Sequence, residues 1–256
     1  MSDLVLLQMP ECSRQCLIKE HSFYIEQAQS RLLSQFDDIE SEADRAAEEW
    51  LEEGNRHFDP DHHDPSDFYE AANDAGIEFY ELLSDMKEQT RLAIVAGMFH
   101  RWEKRLRDWL VQETQHWHRG ESVKWKIWSV SFGDIIDFLE CTGWKIRKEA
   151  YHSKLDSCRL IVNVYKHGDG TSVDELRKRY PIYLSGPSAA YDHSFSDASY
   201  RDYSHLRVTD EHLQSFAKAI KDFWQDVPEE VLESQLTVLP DWFGKALQKD
   251  IASPQR

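Results

Sequence analysis

The stretch RLIVNVYKHG, from Arg159 to Gly168, decides how this chain reads. As a helix it places Arg159, Asn163 and His167 at i, i+4 and i+8, each about 40° from the last around the axis. A guanidinium, an amide and an imidazole are thereby stacked along one stripe over about two turns. Leu160, Ile161, Val162 and Val164 occupy the other faces, so the segment must pack into something while offering a polar edge. Gly168 then ends it, as a glycine just past the last turn commonly does.

Composition supports helix throughout. The chain has 256 residues, only ten Gly and eight Pro, and few β-branched runs. Its nine Trp, ten Tyr and twelve Phe are enough to fill a real core. No apolar run reaches the about eighteen residues a membrane span needs. The opening MSDLVLLQMPEC lacks the basic start and full apolar run of a secretory leader. Cysteines at 12, 16, 141 and 158 are too few for a disulfide framework in a chain this long, and a cytoplasmic location is expected.

Apolar periodicity predicts a first helix over roughly 22–54, with Phe23, Ile25, Leu32, Leu33, Phe36, Ile39 and Trp50 on one face. A turn-rich linker follows, then a long helix over about 66–116 capped by Ser66 or Asp67, with breaks conceivable at Gly76 or Gly97. WKIWSV (125–130) reads as a short extended piece and FGDIIDFLECTG as a short helix ending at Gly143. The segment 144–168 reads as the Arg159 helix and TSVDELRKR as a brief one. About thirty residues from Tyr180 read as an irregular loop, in which Tyr191, Tyr200 and Tyr203 could stack on bases. A helix capped by Thr209 and ending at Pro228 comes next, then a last short helix, with Ala252–Arg256 expected to be disordered.

Charge is unevenly distributed. The net −17 of the chain is matched by residues 20–90 alone, which hold 21 acidic and four basic side chains. Residues 91–126 hold eight basic against four acidic, and residues 145–179 nine against five. The second basic segment contains Arg159 and His167. Clustered Lys and Arg, rather than global charge, are what phosphate contacts require. The acidic segment could mimic nucleic acid, bind a basic partner or shield the basic half.

The helix Arg159–Gly168 resembles the signature helix of the HEPN superfamily, small helical bundles that include many metal-independent RNases of toxin–antitoxin and phage-defence systems. That motif is an Arg, a polar residue (often Asn), three residues and a His. Asn163-Val-Tyr-Lys-His167 keeps the second half; Val162 stands where the Arg precedes the Asn, and the nearest Arg lies a turn earlier. AGMFHRWEKRLRDWLVQE (Ala96–Glu113) is similar to the earlier long helix of such bundles, with Glu103 or His100 as the polar residue facing the signature helix. The likeness covers roughly residues 90–180.

The resemblance implies an all-α, HEPN-like helical bundle with a long irregular loop and an additional C-terminal helix, over residues 66–256. The acidic helical segment 1–65 packs on or flanks it, unless 1–256 is one domain. It further implies a toxin or antiviral defence effector acting as an endoribonuclease without metal or other cofactor. Its partners would be RNA, a cognate or antitoxin protein and a second copy of the chain across a dimer cleft. RNA carries its own nucleophile, the 2′-OH, so cleavage needs a base, an acid and stabilisation of the phosphorane charge. His167, a side chain of the type that titrates near pH 6.5, would serve as base or acid; Arg159 would hold the phosphate; Asn163 would orient one of them. Lys166, Arg105 and Lys154 would contact the backbone of the nucleic acid.

Two further readings stand beside this one. Without the family Arg, the chain could be a non-catalytic module that holds a partner protein or nucleic acid. The pairs Glu113–His116 and Glu149–His152 have the spacing of di-metal bundles, which is a minor alternative. DPDHHD (59–64), His116-Trp-His118 and Cys12-x3-Cys16 with His21 are weaker metal candidates. Glycine-rich phosphate loops, GxSxG, HExxH and paired CxxC motifs are absent from the sequence.

Overall fold

A computed structural model describes residues 3–59, 61–184 and 201–252. It is 79% helical and 3% strand, an all-α architecture. In chain order the elements are β1 (Val5–Gln8), α1 (Glu11–Arg31), α2 (Ile39–Asn55), α3 (Pro65–Trp117), α4 (Glu121–Ser129), α5 (Phe132–Cys141), α6 (Ala150–His167), α7 (Thr171–Arg179), α8 (Asp210–Asp226), β2 (Glu230–Leu232) and α9 (Asp241–Ala252).

The Arg159 helix, α6, runs through the core. Leu155, Cys158, Leu160 and Ile161 are wholly buried, and Val162 and Val164 nearly so. Burying such side chains contributes about 1.5–3 kcal/mol each relative to exposure, which explains why this helix is central. α6 packs on α8, α7 and α3. From α8 comes the aromatic hub Phe223, whose ring lies 5.1 Å from Trp102 of α3, 5.1 Å from Trp144 and 5.9 Å from Tyr151 of α6. Gly168, at φ +70°, closes α6 in a conformation that disfavours a Cβ.

The N-terminus is tied into the same core. β1 pairs antiparallel with β2, with Leu7 opposite Val231 and an irregularity between Val5 and Leu7. The α3 indoles of Trp109 and Trp117 donate to the carbonyls of Gln8 (3.0 Å) and Leu6 (2.9 Å). Glu113 accepts the Gln8 amide at 2.9 Å; burial raises its carboxyl pKa. Leu6, Leu7, Met9, Ile18 and Ile25 are core residues.

Several sequence expectations change. The single helix over 22–54 is two, α1 and α2, separated by a helical turn at Leu33–Phe36. No Gly or Pro marks that break, in which Leu33 and Phe36 are buried. Phe23 and Leu32, expected inside, are exposed. The long helix is α3, unbroken at Gly76 and Gly97, and its cap is Asp64, which accepts the Ser66 amide at 2.9 Å. WKIWSV is not extended: its first five residues belong to α4, where Val123 and Ile127 bury an i, i+4 pair. Asp250 of α9 caps α4 by accepting the amides of Ser122 (2.8 Å) and Val123 (3.1 Å) and pairs with His118 at 3.0 Å. α6 begins at Ala150 rather than near Trp144, after a turn at Ile146–Lys148. Thr209 does cap α8, accepting the His212 amide. Most of the expected irregular loop, with Tyr191 and Tyr200, and the tail from Ser253 lie outside the described residues. Among the described residues no helix is long and apolar enough to cross a membrane.

Candidate functional site

His152, Asp156 and Arg159 stand at i, i+4 and i+7 on α6, and therefore on one face. That face borders a cleft of about 320 Å³ that also takes in Arg147, Arg179 at the end of α7, and Ser131, Phe132 and Gly133 at the start of α5. Asp156 is its hub. One carboxylate oxygen accepts from Arg159 Nη2 at 2.8 Å and Nε at 3.2 Å. The other meets Arg179 Nη2 at 2.5 Å and the Tyr180 hydroxyl at 3.0 Å. Burial opposes ionisation of Asp156, but Arg159, Tyr180 and Arg179 together hold its pKa below the usual carboxylate range. The pKa of the Tyr180 hydroxyl is raised by burial and by Asp156.

The guanidiniums keep unused donors. Arg159 also approaches Glu175 at 3.6 Å, yet its Nη1 has no acceptor among the described residues. Arg147 is held from outside the cleft by Asp137 at 2.6 Å and Glu140 at 2.5 Å. With five N–H groups each, such side chains can accept an additional anion without releasing every carboxylate. Phe132 and Gly133, in the first turn of α5 where the helix supplies no carbonyls to the amides, are among the residues that line the cleft. Ser131 and Asp134 close a capping box beside them.

His152 completes the cleft. Its imidazole makes no hydrogen bond to a described residue, and burial is the first cause that lowers its pKa, with Arg147 and Arg179 adding to it against Asp156 and Glu140. Both the burial and the two cations favour the neutral ring, the form a general base requires. Sequence reasoning used His152 only as half of a Glu-x-x-His pair and did not single out Arg147, Asp156, Arg179 or Tyr180. The i, i+4, i+7 spacing of His152, Asp156 and Arg159 was the available signal.

The residues singled out from sequence are divided. Arg159 lies in the cleft, but Asn163, half-buried, and His167, exposed in the last turn of α6, are not among its walls. Neither makes a side-chain hydrogen bond or ion pair to a described residue. Val162, at the position of the family Arg, is 1% exposed and belongs to the core face. Lys166 and Lys154 are exposed on α6. Arg105 lies on α3 and pairs at 2.8 Å with Glu20 of α1, which Arg101 approaches at 3.6 Å. Glu103 holds Arg107 at 2.6 Å, and that guanidinium donates to the carbonyls of Ile127 and Val130. It thereby fastens α3 to the α4–α5 junction. His100 sits beside Phe99, 6.3 Å between ring centres.

For metals, His21 is turned inward with Nε2 2.8 Å from the Ala217 carbonyl, while Cys12 and Cys16 are exposed on α1. Among the described residues no three His, Cys, Asp or Glu side chains gather in a metal-ligating group. No family model, no curated protein and no solved structure matches the chain.

Proposed function

We propose that this protein is an RNA-directed effector of the HEPN-like kind that seats a backbone phosphate in the arginine cleft and cleaves the adjacent ester without a metal. The observation that carries the reading is the convergence of Arg147, Arg159, Arg179 and His152 on one polar cleft at the start of α5. The three guanidiniums are met by four carboxylates, Asp137, Glu140, Asp156 and Glu175, so an anion is taken by their remaining N–H donors, whose planar forks suit phosphate oxygens. RNA supplies the 2′-oxygen. His152 takes the 2′-OH proton as that oxygen bonds to phosphorus. The bond from phosphorus to the 5′-oxygen breaks, and the leaving oxygen takes a proton from solvent. The products are a 2′,3′-cyclic phosphate and a 5′-OH, with Arg159 and Arg179 stabilising the phosphorane charge.

A second reading, RNA or partner binding without cleavage, is favoured by the buried Val162 in place of the family Arg. One experiment separates the two. Full-length protein is incubated with end-labelled tRNA and total RNA, wild type beside His152→Ala, His167→Ala and Arg159→Ala. The cleft reading expects cleavage lost with His152→Ala and retained with His167→Ala. Loss with His167→Ala alone would place the chemistry at the far end of α6 and overturn it. Binding that depends on Arg159, with no cleavage by wild type, would leave the second reading.

A further inference from the structure

The N-terminal half of α3 leaves the core. Together with α2 it forms a helical hairpin, and over residues 65–90 of α3 only Ala72 and Gly76 are buried. Gly76 makes the hairpin close: a Cβ there would lie 3.1 Å from Ala47 Cβ and 3.2 Å from the Ala43 carbonyl oxygen. Small residues bring the two backbones together, so larger side chains on either flank are left uncovered. Ile77 is 50% exposed and Tyr80 44%. On the opposite flank Leu82 is 64% and Met86 57% exposed. Single exposed apolar side chains are unremarkable, but several on one hairpin mark an interaction surface.

Between α2 and α3 the Ile77 and Tyr80 flank borders a groove of about 210 Å³. Its floor is Ala43, Ala47 and Gly76, its apolar wall is Ile77 and Tyr80, and its rim carries Glu40 and Asp44. Residues 39–88 hold 17 acidic side chains against only Arg45, Arg56 and Lys87, a net −14. A second copy placed here would bring −14 against −14, which disfavours self-association through the hairpin. A floor of small residues, an apolar wall and an acidic rim together fit a helix with an apolar stripe between lysines or arginines.

We infer that the α2–α3 hairpin is a docking arm for a basic amphipathic helix of a partner protein, seated against Ile77 and Tyr80 with its cations along Glu40 and Asp44. This surface shares no residue with the arginine cleft, so it stands or falls apart from the cleavage reading. It also gives the acidic segment a role other than covering the cleft, whose walls include no hairpin residue.

The test uses full-length protein and a synthetic Leu/Lys peptide of about 18 residues with leucines at i, i+3, i+4 and i+7. A scrambled peptide of the same composition, without the stripe, is the control, both by fluorescence anisotropy at about 0.15 M salt. The helical peptide is expected to bind about tenfold more tightly than the scrambled one. The exposed pair Ile77→Ser/Tyr80→Ser should weaken it about tenfold with unchanged thermal melting. Glu40→Gln/Asp44→Asn should weaken it less and flatten its salt dependence. Equal binding of the two peptides, or no effect of Ile77→Ser/Tyr80→Ser, overturns the inference. So does a light-scattering dimer that the same pair of substitutions dissolves, which would make the occupant a second copy.

Discussion

At one end of α6, Asp156 and Arg159 are tied to α7 and its flank through Glu175, Arg179 and Tyr180; at the other, Asn163 and His167 meet no described hydrogen-bond partner. The two ends lie on one continuous helix, about 12 Å apart from Arg159 to His167 at the standard rise. Both carry a histidine and cations. What differs is their surroundings: the first end is walled by α5, α7 and the turn before α6, whereas at the second the His167 side chain is exposed. Desolvation lowers the pKa of His152, while Arg159 and Arg179 hold that of Asp156 down against its own burial. Residue type alone did not distinguish the ends; the walls around them do.

The largest expected effect comes from forcing the family motif onto the far end. Val162→Arg would place an unpaired guanidinium in the core and should cost about 4 kcal/mol or more. Asn163→Ala beside it should stay within about 0.5 kcal/mol. Denaturant melts of both give the comparison, and a stable Val162→Arg protein that cleaves RNA would break it. Next, Asp156→Ala removes the carboxylate that Arg159 and Arg179 share and the acceptor of the Tyr180 hydroxyl. A loss of about 2 kcal/mol is expected, against no measurable loss for His167→Ala.

The contrast also concerns phosphate. Arg159→Ala should weaken binding of single-stranded RNA about tenfold and lower the salt slope by about one. Lys166→Ala, exposed at the far end, should change it by about twofold or less. Equal effects from the two would erase the distinction between the ends.

The smallest effect is in pH dependence. Because the folded-state pKa of His152 is depressed, its contribution to stability is complete above the unfolded value of about 6.5 and is lost as pH falls through the folded value. Asp156, also depressed, contributes above about 3.9 and loses that contribution at lower pH still. His21 and His212 are lowered by burial too and act in the same window as His152. His152→Gln should therefore flatten only part of the stability loss on acidification below about pH 6.5. A slope identical to wild type in urea melts would contradict the buried setting of His152.

Much of the helical order was legible because it follows from periodicity and end signals: Gly168 after α6, Thr209 before α8, Pro228 beyond it. The break between α1 and α2 at Leu33–Phe36 was not, because buried apolar residues occupy it and no Gly or Pro announces it. Strand β1 was hidden for a related reason. Val5–Gln8 is a short apolar run whose partner, Glu230–Leu232, lies more than two hundred residues away, and no local pattern reveals such a pairing. Of the site, Arg159 was legible as a cation on the polar edge of α6. Its neighbours were not, since Arg147 and Arg179 come from outside the helix and are brought together only by packing. The Arg159–Asn163–His167 stripe is real as a surface, but its upper end turns into a cleft and its lower end does not.

Photo-crosslinking the full-length protein to RNA carrying 4-thiouridine, followed by peptide mapping, addresses the cleft directly and needs no substitution. The account predicts adducts on peptides that contain Phe132, His152 or Tyr180. Adducts confined to the peptide around Tyr165 and His167, or none above an albumin control, would contradict it.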